Sequence, residues 1–263
     1  GSAVLAIARM LRAKWVGGFA GTAAVLAAYA RYRCGTRRRR VVITGGCGNL
    51  GTKLATRLLA AGTWEVVLLE HPDFVPREGS RVPRGAIVVA GDLADGTASW
   101  EAALRGADSL VHFSAVNPYP NASWEDSAGS MAHTFNVLLA ARRHRVRRVV
   151  LASSNHVMGG YKDLPGTEGD VAPTSPPRCG TLLQDPADTA ASGDAVAYAA
   201  AKLAGEQMCL ALAAYGGATS FAILRIGWCQ PGANLPATLN PAGCPPEFQT
   251  ASSSGGGGGG GGG

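Results

Sequence analysis

The sequence predicts a doubly wound α/β fold built on a parallel sheet. Two observations carry that prediction. Short apolar runs rich in β-branched residues alternate with helical patterns from Val41 to Arg225, the order in which a parallel sheet is covered by helices on both faces. The first run, Val41-Val-Ile-Thr44, leads into a turn with glycines at Gly45, Gly48 and Gly51 and then into the apolar-periodic Leu50, Leu54, Ala55, Leu58 and Leu59. A strand, a tight turn and a helix opening therefore follow one another directly.

The remaining elements come in order. Glu65–Glu70 reads as a second strand and Gly85–Ala90 as a third. A short helix closes at Leu104–Ala107, and Ser109–Phe113 is a fourth strand. Residues 130–145 read as a helix with apolar Met131, Phe135, Leu138 and Leu139, and its last turn carries Arg142, Arg143 and Arg145, which suit the negative end of the helix dipole. Val146–Ala152 is a fifth strand, Ala195–Ala214 an Ala-rich helix and Ser220–Arg225 a sixth strand. The Pro-, Gly- and Thr-rich stretch from Gly159 to Asp194 reads as a long loop of the kind that borders active sites.

Charge divides the chain. Residues 1–40 hold nine Lys or Arg and no acid, while residues 41–263 hold 15 basic and 18 acidic residues, about −3. The net charge of +6 thus belongs to a leader, and a body that is mildly acidic argues against nucleic-acid binding. Arg9, Arg12 and Lys14 precede an apolar run from Trp15 to Ala30 that is short for a bilayer span of about 20 residues. Arg-rich, Ala-rich and acid-free is the composition of an organellar transit peptide; a signal peptide, a marginal membrane anchor or a leader without an address also fit. The expected location is organellar or membrane-anchored, otherwise cytoplasmic. Gly1-Ser2 in place of Met reads as a scar or a trimmed fragment, and the Arg37–Arg40 run as a solvated or membrane-flanking boundary. The expected domains are a leader over 1–40, a nucleotide-binding body over 41–234 and a disordered low-complexity tail over 235–263, which ends in Gly255–Gly263. Six cysteines without C-x-x-C or metal-ligand spacing read as reduced thiols, with no metal site.

Several residues are suited to chemistry. A dinucleotide pyrophosphate needs close backbone approach and a helix N-terminus. Gly45 would allow the sharp turn, Gly48 the approach and Gly51 the packing of helix on strand. Glu70 ends the second strand at the distance where an acid accepts from the adenosine ribose hydroxyls and repels a 2′-phosphate, favouring NAD over NADP; a surface Glu is the alternative. Arg77 and Arg81 follow it. Asp92 is placed either to meet the adenine or to cap the next segment. Tyr198 and Lys202 stand four apart on one helix face. A Lys ammonium about 4 Å away at an effective dielectric of ~20 is worth roughly 4 kcal/mol, which would bring a phenol down from pH ~10 by nearly three pH units. A surface pair on an Ala-rich helix is the bland reading of the same spacing. Ser153, Ser154, Asn155 and His156 follow the fifth strand at the edge where ligands bind in such sheets. His156 reads equally as a general base or a structural histidine.

Taken together, Thr44-Gly-Gly-Cys-Gly-Asn-Leu-Gly51, the acid after strand two, Val111-His-Phe-Ser-Ala115, Ser153-Ser154 and Tyr198-x-x-x-Lys202 resemble the extended short-chain dehydrogenase/reductase superfamily, the NAD-dependent epimerase/dehydratase group, over residues 41–234. Ala152–Gly159 and Leu224–Cys229 look most like its uronate dehydrogenase branch, in carbohydrate metabolism, whose members oxidise a uronic acid to an aldarolactone with NAD⁺. The resemblance implies a Rossmann fold with Tyr198 as base, Lys202 as its modulator and nicotinamide-ribose ligand, and Ser154 as partner of the substrate oxygen. It implies cofactor contacts at Gly45, Gly48, Asn49, Leu50, Gly51, Glu70, Asp92, Leu93, Ser114, Tyr198 and Lys202. Substrate contacts are implied at Asn117, Ser153, Asn155 and His156, the substrate being a small sugar or sugar acid. A homodimer through the Tyr198 helix is a further implication. The family's helix Asn is replaced by Ser130, Trp228 stands where the dehydrogenases carry a small residue, and no Arg follows Cys229. An extended member continues well past residue 234, so the substrate subdomain is expected to be largely missing here. The enzyme expected is an NAD-dependent dehydrogenase. An epimerase or dehydratase that regenerates NAD⁺ and a non-catalytic NAD-binding protein, a membrane-tethered sensor or scaffold, are the alternatives.

Overall fold

The computed structural model describes residues 38–74, 82–95, 99–116, 123–161, 171–180, 189–227 and 229. The expected leader up to residue 37, the tail over 235–263, Arg77, Arg81, Asn117 and Trp228 lie outside the described residues. The elements are β1 (Arg39–Thr44), α1 (Asn49–Ala60), β2 (Trp64–Glu70), β3 (Ile87–Ala90), a 3-10 turn (Ser99–Leu104), β4 (Ser109–His112), α2 (Trp124–Arg143), β5 (Arg148–Ser154), a second 3-10 segment (Asn155–Tyr161), α3 (Thr189–Ala214) and β6 (Ser220–Ile226). The sheet order is β3-β2-β1-β4-β5-β6, and every pairing is parallel. This is the doubly wound arrangement expected, with its reversal of strand order between β1 and β4.

Strand alternation decides which helix meets which side chain. On one face Val42, Val67, Leu110, Val149 and Leu151 pack with Trp100, Leu104, Val137, Leu138 and Cys209, so α2 and α3 cover it. On the other, Val41, Ile43, Val66, Leu68 and Val111 pack with Ala55 and, at the margin, Leu54 and Leu58 of α1. Burying apolar side chains on both faces of β1 and β2 is what made those strands read as continuous apolar runs.

Boundaries differ from the expected ones for identifiable reasons. The strand β1 begins at Arg39, inside the basic run expected as a solvated or membrane-flanking boundary. The Arg39 guanidinium lies over the Trp64 ring at 4.4 Å, and Arg40 donates to Glu65 Oε1 at 2.5 Å while its backbone N–H donates to Asp108 at 2.8 Å. Their partners are distant in sequence, so the run itself gave no sign of them. Helix α2 starts earlier than residue 130 because Ser123 caps it, accepting from the Asp126 N–H at 3.0 Å, with Glu125 and Asp126 in its first turn. The arginines at its end have specific partners besides the dipole: Arg143 pairs with Glu101, and Arg142 donates to the Gly216 carbonyl and lies over Tyr215. Strand β5 is shifted towards its C-terminal end, so Ser153 and Ser154 lie within it. Helix α3 begins at Thr189, which takes the end of the expected long loop into the helix.

The turn after β1 is fixed by backbone contacts. Gly45 has φ +63°, and a Cβ there would lie 2.9 Å from the Ser114 nitrogen. A Cβ on Gly51 would lie 2.4 Å from the Gly46 carbonyl oxygen and 2.6 Å from that of Gly45. Its close packing is thus against the turn itself, a nearer contact than the strand expected. Gly51→Ala should therefore destabilise the fold by about 1–3 kcal/mol, since the obstacle is backbone that has no rotamer to change. Urea unfolding of the variant against the parent chain measures this, and an unchanged midpoint would contradict it.

Candidate active site

The carboxyl ends of β1, β4 and β5 bring together most of the expected site residues. At β1 the chain turns through Gly45 and Gly48 into α1, whose first turn has no acidic residue and whose N-cap, Gly48, provides no side-chain cap. A helix start without its own anion or cap suits a phosphate ligand. Glu70 closes β2 beside it. Its carboxylate accepts from the Cys47 N–H at 3.0 Å and the His71 N–H at 3.1 Å, so its orientation is set by the turn. Asn49 donates from its side chain to the Cys229 carbonyl at 3.1 Å, and Leu50 is half-buried in the first turn of α1.

Asp92 accepts from the Ala94 N–H at 2.8 Å, a local turn two residues long. Leu93 is buried among Val42, Val67 and Trp100, and its carbonyl accepts from Asn136 at 2.8 Å. Its side chain is thus committed to the core. Sequence reading placed no function on Asn136, which ties α2 to the loop after β3.

Beneath β4 runs a buried polar chain. His112 is 1% exposed; its Nδ1 lies 2.6 Å from Thr44 Oγ1 and its Nε2 3.1 Å from Thr134 Oγ1. The Thr134 hydroxyl donates to the Ser130 carbonyl at 2.9 Å, so towards His112 it can only accept. The imidazole proton is therefore on Nε2, and Nδ1 accepts from the Thr44 hydroxyl. Thr44 Oγ1 in turn accepts from the Ser114 N–H at 3.5 Å, and Ser130 Oγ from the Val116 N–H at 2.9 Å. Ser130, at the position of the family's Asn, thus holds the loop after β4. Burial, with Lys202 and His133 adding repulsion, depresses the His112 pKa to about 3.

Tyr198, Ser154 and Lys202 meet at the end of β5. Tyr198 shares a hydrogen bond with Ser154. Ser154 Oγ also accepts from the His156 N–H at 3.2 Å and lies 3.4 Å from Asn155 Oδ1. The His156 ring stands edge-on to Tyr198 with centroids 6.0 Å apart. Lys202 Nζ donates to the Ala152 carbonyl at 3.0 Å and lies 5.7 Å from the Tyr198 ring centroid. Burial lowers the Lys202 pKa to about 8. The Tyr198 pKa moves opposite to the expected depression: burial raises it, and the Ser154 hydrogen bond opposes the rise. Desolvation of the phenol is the larger effect, and the ammonium donates to a carbonyl.

Ser153 is 3% exposed, and its hydroxyl donates to Glu206 Oε1 at 2.5 Å. Glu206 also receives Arg225 in a two-pronged pair, Nε to Oε1 at 2.9 Å and Nη2 to Oε2 at 2.7 Å. Glu206 went unremarked in the sequence, although it lies four residues past Lys202 on the same helix face. Among the described residues no group of three or more His, Cys, Asp or Glu could hold a metal ion, the described cysteines are free thiols, and no helix is long and apolar enough to cross a membrane.

The profile of the NAD dependent epimerase/dehydratase family matches residues 41–228. The chain belongs to that family. Among curated relatives, the uronate dehydrogenase of Pseudomonas putida is 35% identical over 124 residues, 47% of this chain and 43% of the relative. That of Agrobacterium fabrum is 30% identical over 200 residues, 74% of this chain and 63% of the relative. A crystal structure of UDP-galactose 4-epimerase superposes with a TM-score of 0.55 at 31% identity, covering 71% of this chain and 55% of that one. The chain spans 43% to 63% of the length of these relatives. As a member of this family it is NAD-dependent, and the bare α1 N-terminus with Glu70 beside it fits that cofactor.

The neutral His112 has a stability consequence. Its folded pKa lies below that of an unfolded histidine, so its contribution is complete above pH ~6.5 and is lost as pH falls towards its folded value. In that window an unfolded chain binds one proton more, a slope of about 1.4 kcal/mol per pH unit. His112→Asn should remove that slope: the difference in urea stability between parent and variant should shrink from pH 6 to pH 4, on the order of that slope per unit. A constant difference across the range would show that His112 is charged in the fold.

Proposed function

We propose that this chain is an NAD-dependent oxidoreductase that oxidises a hydroxyl of a sugar or sugar acid, in the manner of a uronate dehydrogenase. The observation that carries the reading is the hydrogen bond between Tyr198 and Ser154 at the end of β5, with the Lys202 ammonium alongside. Gly45, Gly48, Asn49, Leu50 and Gly51 would hold the pyrophosphate, Glu70 the adenosine ribose hydroxyls, and Ser114 and Lys202 the nicotinamide end. When bound, NAD⁺ supplies the hydride acceptor. Ser154 would hold the substrate oxygen by its hydroxyl, and Tyr198 would take the proton from it. Lys202, with a pKa of about 8, is mostly charged at neutral pH and would favour the phenolate, the form in which Tyr198 can accept that proton. Asn155, exposed beside Ser154, His156 at the edge of Tyr198, and Asn117 would contact the substrate. The sugar class is supported by the relatives, named for uronate and UDP-galactose.

The same relatives include an epimerase, and an epimerase uses these groups without net reduction of NAD⁺. Incubation with NAD⁺ and a panel of uronates and aldoses separates the readings. Oxidation yields NADH in proportion to sugar consumed; an epimerase interconverts the sugar with none; a non-catalytic protein binds NAD⁺ and does neither. Tyr198→Phe should lower turnover by roughly 10²–10⁴-fold, the range of general acid–base groups, and leave NAD⁺ affinity within about threefold, since the phenol oxygen is not among the phosphate or adenosine contacts. Loss of both together, by calorimetric titration and steady-state rates, would remove Tyr198 from the role of base.

A further inference from the structure

Three side chains on one stripe of α3 grip three consecutive residues of β5. Lys202 Nζ donates to the Ala152 carbonyl at 3.0 Å, Glu206 accepts from the Ser153 hydroxyl at 2.5 Å, and Tyr198 shares a hydrogen bond with Ser154. Two of the three belong to the proposed reaction. Glu206 does not, yet it is 4% exposed and receives both Ser153 and the Arg225 fork from β6. Setting a carboxylate in that environment and pairing it brings little net stability compared with an apolar pair of the same size. What the arrangement supplies is direction: two oxygens, a planar fork and one hydroxyl are satisfied together in a single geometry.

We propose that Glu206 is a positioning residue for the active site: by holding Ser153 of β5 and Arg225 of β6, it fixes the height of α3 over the strand end and thereby the approach of Tyr198 to Ser154. The inference rests on the reading of Tyr198 and Ser154 as reacting groups. Ser153, on this account, is the strand's handle for the helix, and its hydroxyl acts through Glu206. A displacement of about 1 Å between reacting groups costs up to 10²-fold in rate, so a clamp two turns along the same helix matters even though it touches neither cofactor nor substrate.

Glu206→Gln keeps the volume and removes the charge. With NAD⁺ and whichever uronate or aldose the parent chain oxidises, kcat should fall by roughly 10–100-fold while KM for NAD⁺ stays within about threefold. The tyrosinate absorbance of Tyr198, taken as the difference from Tyr198→Phe in the same background, should titrate at higher pH because the Ser154 hydrogen bond that lowers it is loosened. This second reading needs no turnover: a parent chain that oxidises nothing would sink the proposed reaction, while the titration would still decide the clamp. Ser153→Ala removes one link and leaves the Glu206–Arg225 pair, and should shift both readings the same way by less; it serves if Glu206→Gln does not fold. Leu104→Ala, a core truncation in the 3-10 turn before β4, should lower Tm without moving either reading below its transition. Glu206→Gln and Ser153→Ala with parental kcat and an unshifted Tyr198 titration would overturn the inference, as would a loss of kcat matching only the fraction unfolded.

Discussion

Close contact between Gly51 and the carbonyls of Gly45 and Gly46 is the constraint from which the cofactor half of the site follows. Only a residue without a Cβ lets α1 begin that close to the turn. Once it does, the turn is confined on its other sides as well. Gly45 lies against the backbone of Ser114, and Gly46 leaves 2.7 Å between an added Cβ and that of Leu68. The turn is therefore packed against the ends of β4 and β2 together, and its Cys47 N–H reaches Glu70. The helix N-terminus, Glu70 and the loop after β4 are one assembly.

A second assembly, α3 on β5, meets the first through His112. Its imidazole joins Thr44 of the turn strand to Thr134 of α2, and the charge of Lys202 helps keep it neutral. Two cations at close quarters in a desolvated site would each raise the cost of the other. With His112 fixed as a neutral donor and acceptor, the positive charge there is left to Lys202. The polar chain under β4 thus does two things: it fixes Ser114 and Val116 where the two strand ends meet, and it reserves the ammonium for the Tyr198 side.

What could be read in the sequence was whatever local spacing encodes. The glycines, the apolar strands, Glu70 after β2 and the four-residue interval between Tyr198 and Lys202 all lie within one element or one turn. What escaped depends on partners far along the chain. Arg39 and Arg40 read as a basic boundary because Trp64, Glu65 and Asp108 become neighbours only in the sheet. The resemblance implies Ser153 as a substrate contact, whereas its hydrogen bond to Glu206 spans 53 residues and has no local signal. The resemblance implies a cofactor contact at Leu93, whose side chain packs in the core among residues from several elements. The direction of the Tyr198 shift was misjudged for the same reason: spacing gave the distance to Lys202 but not the burial that opposes its effect.

On the proposed reading, cofactor choice turns on how Glu70 is held. A flexible surface carboxylate could swing aside and tolerate a 2′-phosphate at small cost. Glu70 has one oxygen on the Cys47 N–H and the other on the His71 N–H, so moving it would leave two backbone donors without that acceptor. Each carboxylate oxygen keeps lone pairs for ribose hydroxyls, which can donate; a phosphate dianion cannot, and would face the carboxylate charge directly. The cost of orienting the carboxylate is met in folding, before any ligand arrives. On the proposed reading, a preference for NAD over its 2′-phosphorylated counterpart lies in the same turn that would receive the pyrophosphate.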